Sequence, residues 1–374
     1  MEGAYGVFAR QDLLKACESG VLQAARPMDD DQVQPCSMDL RLGDHATCVS
    51  SAFLPNLPRE TLEKTVERKR IYDFPLNTEQ TNVLRKNETY IIPLEEKTSL
   101  LEKMFGNINP KSTTGRAGAL THVFAAGVPK LDTVYPGKDR QLYLKIRPLS
   151  FDLRVKRGLA LNQLRISYGD ASVAEPILRM EHEKNPLLYD PEGKPIPQEE
   201  VSFVNGGIDL HVDLEADIIA YRARKNSDIQ LDLTLPRGAL ADRTNEFWEP
   251  IARPKNGEFT LEPDEFYLLA TYEKTFFPPH LCGELLAYDV SSIEDRSHLA
   301  GFADAGFYAS ITLEMPKKGE PVSIWHRQAI ANMHYFRMGT HPVDKDGKIV
   351  AYTGNYQGQA RGPNRGKQFL AAKT

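Results

Sequence analysis

The sequence has little cysteine: four residues in 374, at positions 17, 36, 48 and 282. They are too sparse for a disulfide scaffold, and no two stand at the spacing of a metal-binding knuckle, so the expected setting is a reducing compartment. Long apolar runs are also missing. None approaches the length that spans a bilayer, and the opening MEGAYGVFARQDLLKACESG has no apolar signal core, so a cytoplasmic protein with no membrane partner is expected. Nor is there an excess of positive charge. A net charge of -5 argues against a dedicated nucleic-acid binder. What remains is an ordinary globular composition in a chain longer than one core usually supports, which predicts two domains.

A repeat gives those domains their form. SMDLRLGD at 37–44 returns as GIDLHVDL at 207–214, setting Asp39 and Asp209 170 residues apart. EKT recurs at 96 and 273, and Gly106 and Gly283 keep the same offset of 177. A third match, LDTVYPG with ADAGFYA, pairs Asp132 with Asp304 at an offset of 172. The common order and near-constant offset indicate one domain written twice rather than a solenoid. The predicted division is a first copy over 1–172, a linker over 173–200 and a second copy over 201–374, with a terminal arm from 347. The linker is rich in proline and charge, with a helical turn expected around 177–183.

Within each copy the apolar stretches are short and alternating, as in QLYLKIRPL and ASITLEM, and turns of Gly, Pro, Asn and Asp separate them. The fold class is therefore mainly β, two barrels or rolls in tandem with short edge helices. The clearest helix is RQDLLKACESGVLQ, with Leu13, Leu14 and Cys17 on one face and Gly20 as its stop.

Three segments carry a family resemblance: ESGVLQAARP with QPCSMDLRLGD, the loop NPKSTTGRAG, and the strand HLAGFADAGFYASITLE; the tail YTGNYQGQ adds a fourth. They resemble the dCTP deaminases, relatives of the trimeric dUTP diphosphatases, and the likeness covers both halves. It implies two dUTPase-like distorted β-barrels, jelly-roll-like, in a homo-oligomer built on a threefold axis, with nucleotide sites between neighbouring domains.

A triphosphate needs several fixed donors. In the loop at 109–118, Lys111, Ser112, Thr113 and Arg116 supply charge and hydroxyls, while Gly115 and Gly118 allow close backbone approach. Taken alone this is a polar turn; within the repeat it reads as the phosphate site. By resemblance Ser112 and Arg116 are catalytic-site residues, and Lys111 stands where an arginine is usual. The second copy's loop, AYDVSSIEDRS, carries Asp289, Glu294 and Asp295, which repel phosphate, and its Ser291, Ser292 and Arg296 are out of spacing.

The strand reverses this pattern. By resemblance Ala300 makes the tight turn, Asp304 holds the sugar hydroxyl, Phe307 lies against the ring, Thr312 lines the pocket and Glu314 is the catalytic glutamate. The first copy has Lys145 or Leu142 where that glutamate falls, and a charged lysine accepts no proton. The two copies therefore keep complementary halves of one composite site. In the arm, Tyr356, Gln359 and Arg361 suit a lid over an anion, and Asn355 replaces the family's lysine.

The implied reaction is hydrolytic deamination of dCTP to dUTP and ammonia, with Glu314 as general base. Mg²⁺ is expected with the triphosphate; no zinc is, because H-x-E followed by P-C-x-x-C is missing. Single histidines such as His122 and His298 are expected to be structural. Alternatives are a dUTP diphosphatase using Asp132 or Asp304, an enzyme that does both, and an inactive nucleotide-binding module.

Overall fold

The computed structural model describes residues 5–54, 60–125, 127–225, 229–288 and 298–371. Alternation builds its strands. Along Gly137–Pro148, Leu142, Leu144 and Ile146 are fully buried while the residues between them face outward, the period-two pattern of a strand with one covered face.

The duplication is visible in the pairing. In the first copy Met38–Arg41, Ala160–Tyr168, Met104–Pro110 and Thr133–Val134 lie side by side in that order. In the second, Gly207–His211, Ala329–Arg337, Leu281–Ala287 and Phe302–Ala303 repeat it. The long strand Thr89–Leu100 pairs with Gly137–Pro148, as Phe266–Phe276 pairs with Tyr308–Pro316. All these pairings are antiparallel. Their registers match residue for residue: Gly106 faces Ile166 as Gly283 faces Tyr335, and Ile91 faces Lys145 as Leu268 faces Glu314. Lys145 is therefore the counterpart of Glu314.

The same registers correct one match made on sequence. Val134 pairs with Gly106 and Ala303 with Gly283, so the counterpart of Asp304 is Tyr135 rather than Asp132. Asp132 precedes its short strand whereas Asp304 follows its own. Two aspartates in loops matched by identity, but hydrogen-bond register fixes equivalence.

Residues 173–200 are folded. They carry the helix Glu175–Lys184 and a short strand pairing Leu188 with Thr275, and Leu178, Leu187, Leu188 and Ile196 enter the second core. The first helix, Arg10–Glu18, buries Leu13 and Ala16, with Leu14 and Cys17 half-buried. Gly20 follows its cap at φ +74°, donating to the Cys17 carbonyl, a conformation glycine adopts without strain.

The copies interlock. Asp152–Val155 of the first runs parallel to Gln230–Asp232 of the second, and the first core includes Phe247, Trp248 and Phe369. Arg165 of the first copy is buried against Glu284 of the second, with Asn109 donating to the same carboxylate. The first copy's loop also packs Gly115 against Glu314 of Tyr308–Pro316, whose last residues lose their alternation: Leu313, Glu314 and Met315 are all buried.

Candidate active site between the two copies

The junction of that loop and strand holds a cavity of about 250 Å³, lined from the first copy by Lys111, Ser112, Thr113 and Arg116 and from the second by Ala300, Asp304, Phe307, Thr312 and Glu314. The arm closes it with Tyr356 and Gln359. One chain thus brings together the four donor residues singled out in the phosphate loop, the five of the pocket strand and these two arm positions.

Glu314 is 1% exposed. One carboxylate oxygen, Oε2, accepts from the backbone N–H groups of Ala300 at 2.8 Å and Leu299 at 3.1 Å. Burial pushes its pKa up to about 7, opposed by the Ala300 hydrogen bond, the Arg116 charge and the Leu299 hydrogen bond. Such a carboxyl exchanges a proton with water near neutral pH.

Gly115 sits against it. A methyl group there would meet Glu314 Cδ and Oε1 and the Ala300 side chain at 2.8 Å, so the loop glycine makes room for the carboxylate. Gly118, at φ +66°, would likewise collide with Ser150.

Arg116 is buried with its guanidinium 3.7 Å from the Tyr356 ring centre, a cation–π stack in a dry setting. One terminal nitrogen donates to Gln359 Oε1 at 3.0 Å and the Asn364 carbonyl at 3.1 Å, while Nε is buried without a partner. The Tyr356 hydroxyl shares a 2.7 Å hydrogen bond with Thr113, and Thr312 Oγ1 accepts from the Asn364 N–H. The arm is therefore fastened to both copies at the mouth of the cavity.

At the other end, Asp304 accepts from the Cys36 N–H and thiol at 3.2 Å each, and from Ser37 at 3.4 Å. Burial raises its pKa to about 6 and the Cys36 donors hold it down. Phe307 lines the wall, with Tyr352 packed edge-on at 5.6 Å. The Cys36–Ser37 pair, Tyr352 and Asp39 were not picked out on sequence as site residues. Asp39 is ion-paired with Lys111, and the nearest signal was its place in the repeated SMDLRLGD.

Two expectations move. Arg361 turns away from the site to pair with the buried Asp213 at 2.7 Å, where a carboxylate in low dielectric holds it better than solvent would. Asp132 lies outside the cavity, bonding His122 at 2.6 Å and the Val123 N–H. The second copy's loop residues Asp289, Ser291, Ser292, Glu294, Asp295 and Arg296 lie outside the described residues.

Family profiles match almost the whole chain: the 2'-deoxycytidine 5'-triphosphate deaminase N-terminal domain over residues 4–170 and its C-terminal domain over residues 176–368. The chain belongs to the dCTP deaminase family. A solved relative, the 2'-deoxycytidine 5'-triphosphate deaminase from Agrobacterium tumefaciens, superposes with a TM-score of 0.80 at 30% identity, covering 91% of this chain and 100% of its own. Two curated relatives are each named "dCTP deaminase, dUMP-forming". That from Corynebacterium diphtheriae is 33% identical over 31% of this chain, and that from Streptomyces coelicolor 33% identical over 32%. This chain spans only 63% and 64% of the length of those two. Among the described residues of this family member, no helix is long and apolar enough to cross a membrane.

Proposed function

We propose that the chain deaminates dCTP to dUTP and ammonia. The observation that carries this reading is a buried carboxyl with a pKa near 7, Glu314, in a cavity that also holds a buried arginine. In the proposed course the triphosphate lies along Lys111, Ser112, Thr113 and Arg116, the sugar hydroxyl at Asp304 and the base beside Glu314. Water adds to C4 as Glu314 takes its proton. The same carboxyl gives that proton to the ring N3, removes the second from the new hydroxyl and returns it to the exocyclic amine, which leaves as ammonia. Ala300 and Leu299 hold the carboxylate in place by their N–H groups.

The substrate is proposed to enter with Mg²⁺ held by its own phosphate oxygens. Among the described residues no three His, Cys, Asp or Glu side chains cluster to hold a metal. Both halves of the site belong to one chain, so a trimeric or other homo-oligomer is a separate proposal, measured by light scattering.

A second reading has support of its own. The names of the curated relatives specify dUMP as product, and Asp304, with a pKa near 6, lies in the same cavity and suits activation of a second water towards the α-phosphate. Incubating the protein separately with dCTP and with dUTP, each with Mg²⁺, and following ammonia and nucleotides by chromatography, separates the cases. Ammonia with dUTP supports deamination alone; ammonia with dUMP and pyrophosphate supports the combined reaction. Pyrophosphate from dUTP without ammonia from dCTP would refute both deaminase readings, as would binding without turnover.

A further inference from the structure

The active-site cavity opens sideways into a second hollow of about 760 Å³, the two sharing Asp39, Lys111, Thr113 and Asn355. Six cationic side chains line the hollow: Arg26, Arg41, Lys111, Lys156, Arg157 and Lys367. Most are already answered. Arg41 is paired with buried Glu96 at 2.8 Å, Arg157 and Arg26 with buried Glu95 at 2.7 and 3.2 Å, and Lys111 with Asp39. Lys156 is half-buried at the edge, and the exposed Asp29 faces the same space.

Lys367 differs from these. It is half-buried, and among the described residues its ammonium has no carboxylate within ion-pair distance. Burial disfavours its charge and so does Lys111; Asp39 offsets this only in part, since it is already bonded to Lys111. A half-buried cation beside a second cation is a costly arrangement that an anion would relieve. Nor does Lys367 hang on a loose tail. Its N–H donates to the Tyr356 hydroxyl at 3.1 Å and its carbonyl accepts from the Gly238 N–H at 3.1 Å. Two residues on, Phe369 is buried edge-on against Phe247. The fold therefore fixes an unanswered positive charge one step beyond the phosphate loop.

We propose that Lys367, together with Lys111, receives the outermost phosphate of the nucleotide, making this pair the element that selects a triphosphate over shorter tails. The proposal rests on reading the cavity as the dCTP site. It assigns to Lys367 the position left without charge by Asn355, whose carbonyl is turned to Arg237.

The test compares dCTP, dCDP and dCMP in wild type, Lys367→Ala and Lys367→Arg, by ammonia release and by calorimetric binding on a Glu314→Gln background. Loss of one charge-assisted contact predicts that Lys367→Ala raises KM and Kd for dCTP about 10- to 100-fold. Its kcat and its affinity for dCDP should stay within about twofold, and Lys367→Arg should recover most of the loss. Equal weakening for all three nucleotides, or unchanged dCTP affinity, would overturn the role of Lys367. Wild type that binds dCTP more tightly than dCDP in a Lys367-dependent way, yet releases no ammonia, would support that role and refute deamination.

Discussion

Replacing Glu314 with glutamine should make the protein inactive and, above neutral pH, more stable. In the folded chain this carboxyl keeps its proton to about pH 7, against an ordinary value of 4.5, because it is buried. At 1.36 kcal/mol per pH unit that difference is about 3 kcal/mol. The folded state binds the proton more tightly than the unfolded state, so stability is full below about pH 4.5 and is lost as pH rises towards 7. Wild type carries the whole penalty at pH 8. Glutamine fills the same volume, keeps an oxygen for the Ala300 and Leu299 N–H groups and never ionises. Asp304 and Asp39 are present in both proteins and cancel in the difference. Glu314→Gln is therefore expected to be more stable than wild type by about 2–3 kcal/mol at pH 8 and nearly equal to it near pH 4.5. Deamination should fall by about a thousandfold or more. Urea unfolding followed by tryptophan fluorescence reads the first, since Trp248 is fully buried against Phe151 and Phe369; ammonia release reads the second. A stability difference that stays flat from pH 5 to 8, or a variant weaker than wild type at pH 8, would refute a carboxyl titrating near neutrality.

Gly115→Ala places a methyl 2.8 Å from the Glu314 carboxyl carbon and is expected to lower kcat/KM about a hundredfold while costing about 1–3 kcal/mol in urea unfolding. Tyr356→Phe removes the hydroxyl joining Thr113 to the Lys367 N–H, a loss of about 1 kcal/mol; KM for dCTP should rise several-fold and limited proteolysis should cut the arm faster. Cys36→Ala deletes the thiol donor that lowers the Asp304 pKa, so in the kcat/KM profile, whose acidic limb begins at Glu314 near pH 7, the second and lower break at Asp304 near pH 6 should move to higher pH while the first stays. Arg165→Ala strands the Glu284 carboxylate between the copies and is expected to cost about 3–5 kcal/mol, visible as a lower urea midpoint.

The parts of the site legible in sequence are those whose chemistry lies within a few consecutive residues. Lys111 to Arg116 form one turn and Ala300 to Glu314 one continuous strand–turn–strand segment, so a family resemblance carried on short motifs suffices to place them. Cys36, Ser37 and Lys367 were opaque because Cys36 and Ser37 reach Asp304, and Lys367 reaches the neighbouring hollow beside Lys111, from segments hundreds of residues away. Arg361 shows a second limit: composition reveals a cation but not which carboxylate will take it, and buried Asp213 does. The segment 173–200 has the proline and charge of a linker, yet Leu178, Leu187, Leu188 and Ile196 are spaced to reach a core that only the fold reveals. Asp132 failed for a related reason, since identity within a loop says nothing of strand register.

On the proposed reading, duplication divides the labour between the copies. Each copy offers one loop and one strand, so two combinations of loop and strand exist, and the proposed reaction needs only one of them. In the first, Arg116 approaches Glu314 closely enough to bias its proton. In the other, strand register puts Lys145 where the glutamate would be and Tyr135 where Asp304 would be, and the position matching Lys111 is Tyr288. On the proposed reading no single substitution repairs that combination, because the residues at the positions of Glu314, Asp304 and Lys111 all differ. The first copy's loop also serves the contact between the copies. Asn109, the first residue of the phosphate loop, bonds Glu284 there alongside Arg165, so the same loop that faces the working cavity also ties the copies into the arrangement that forms it.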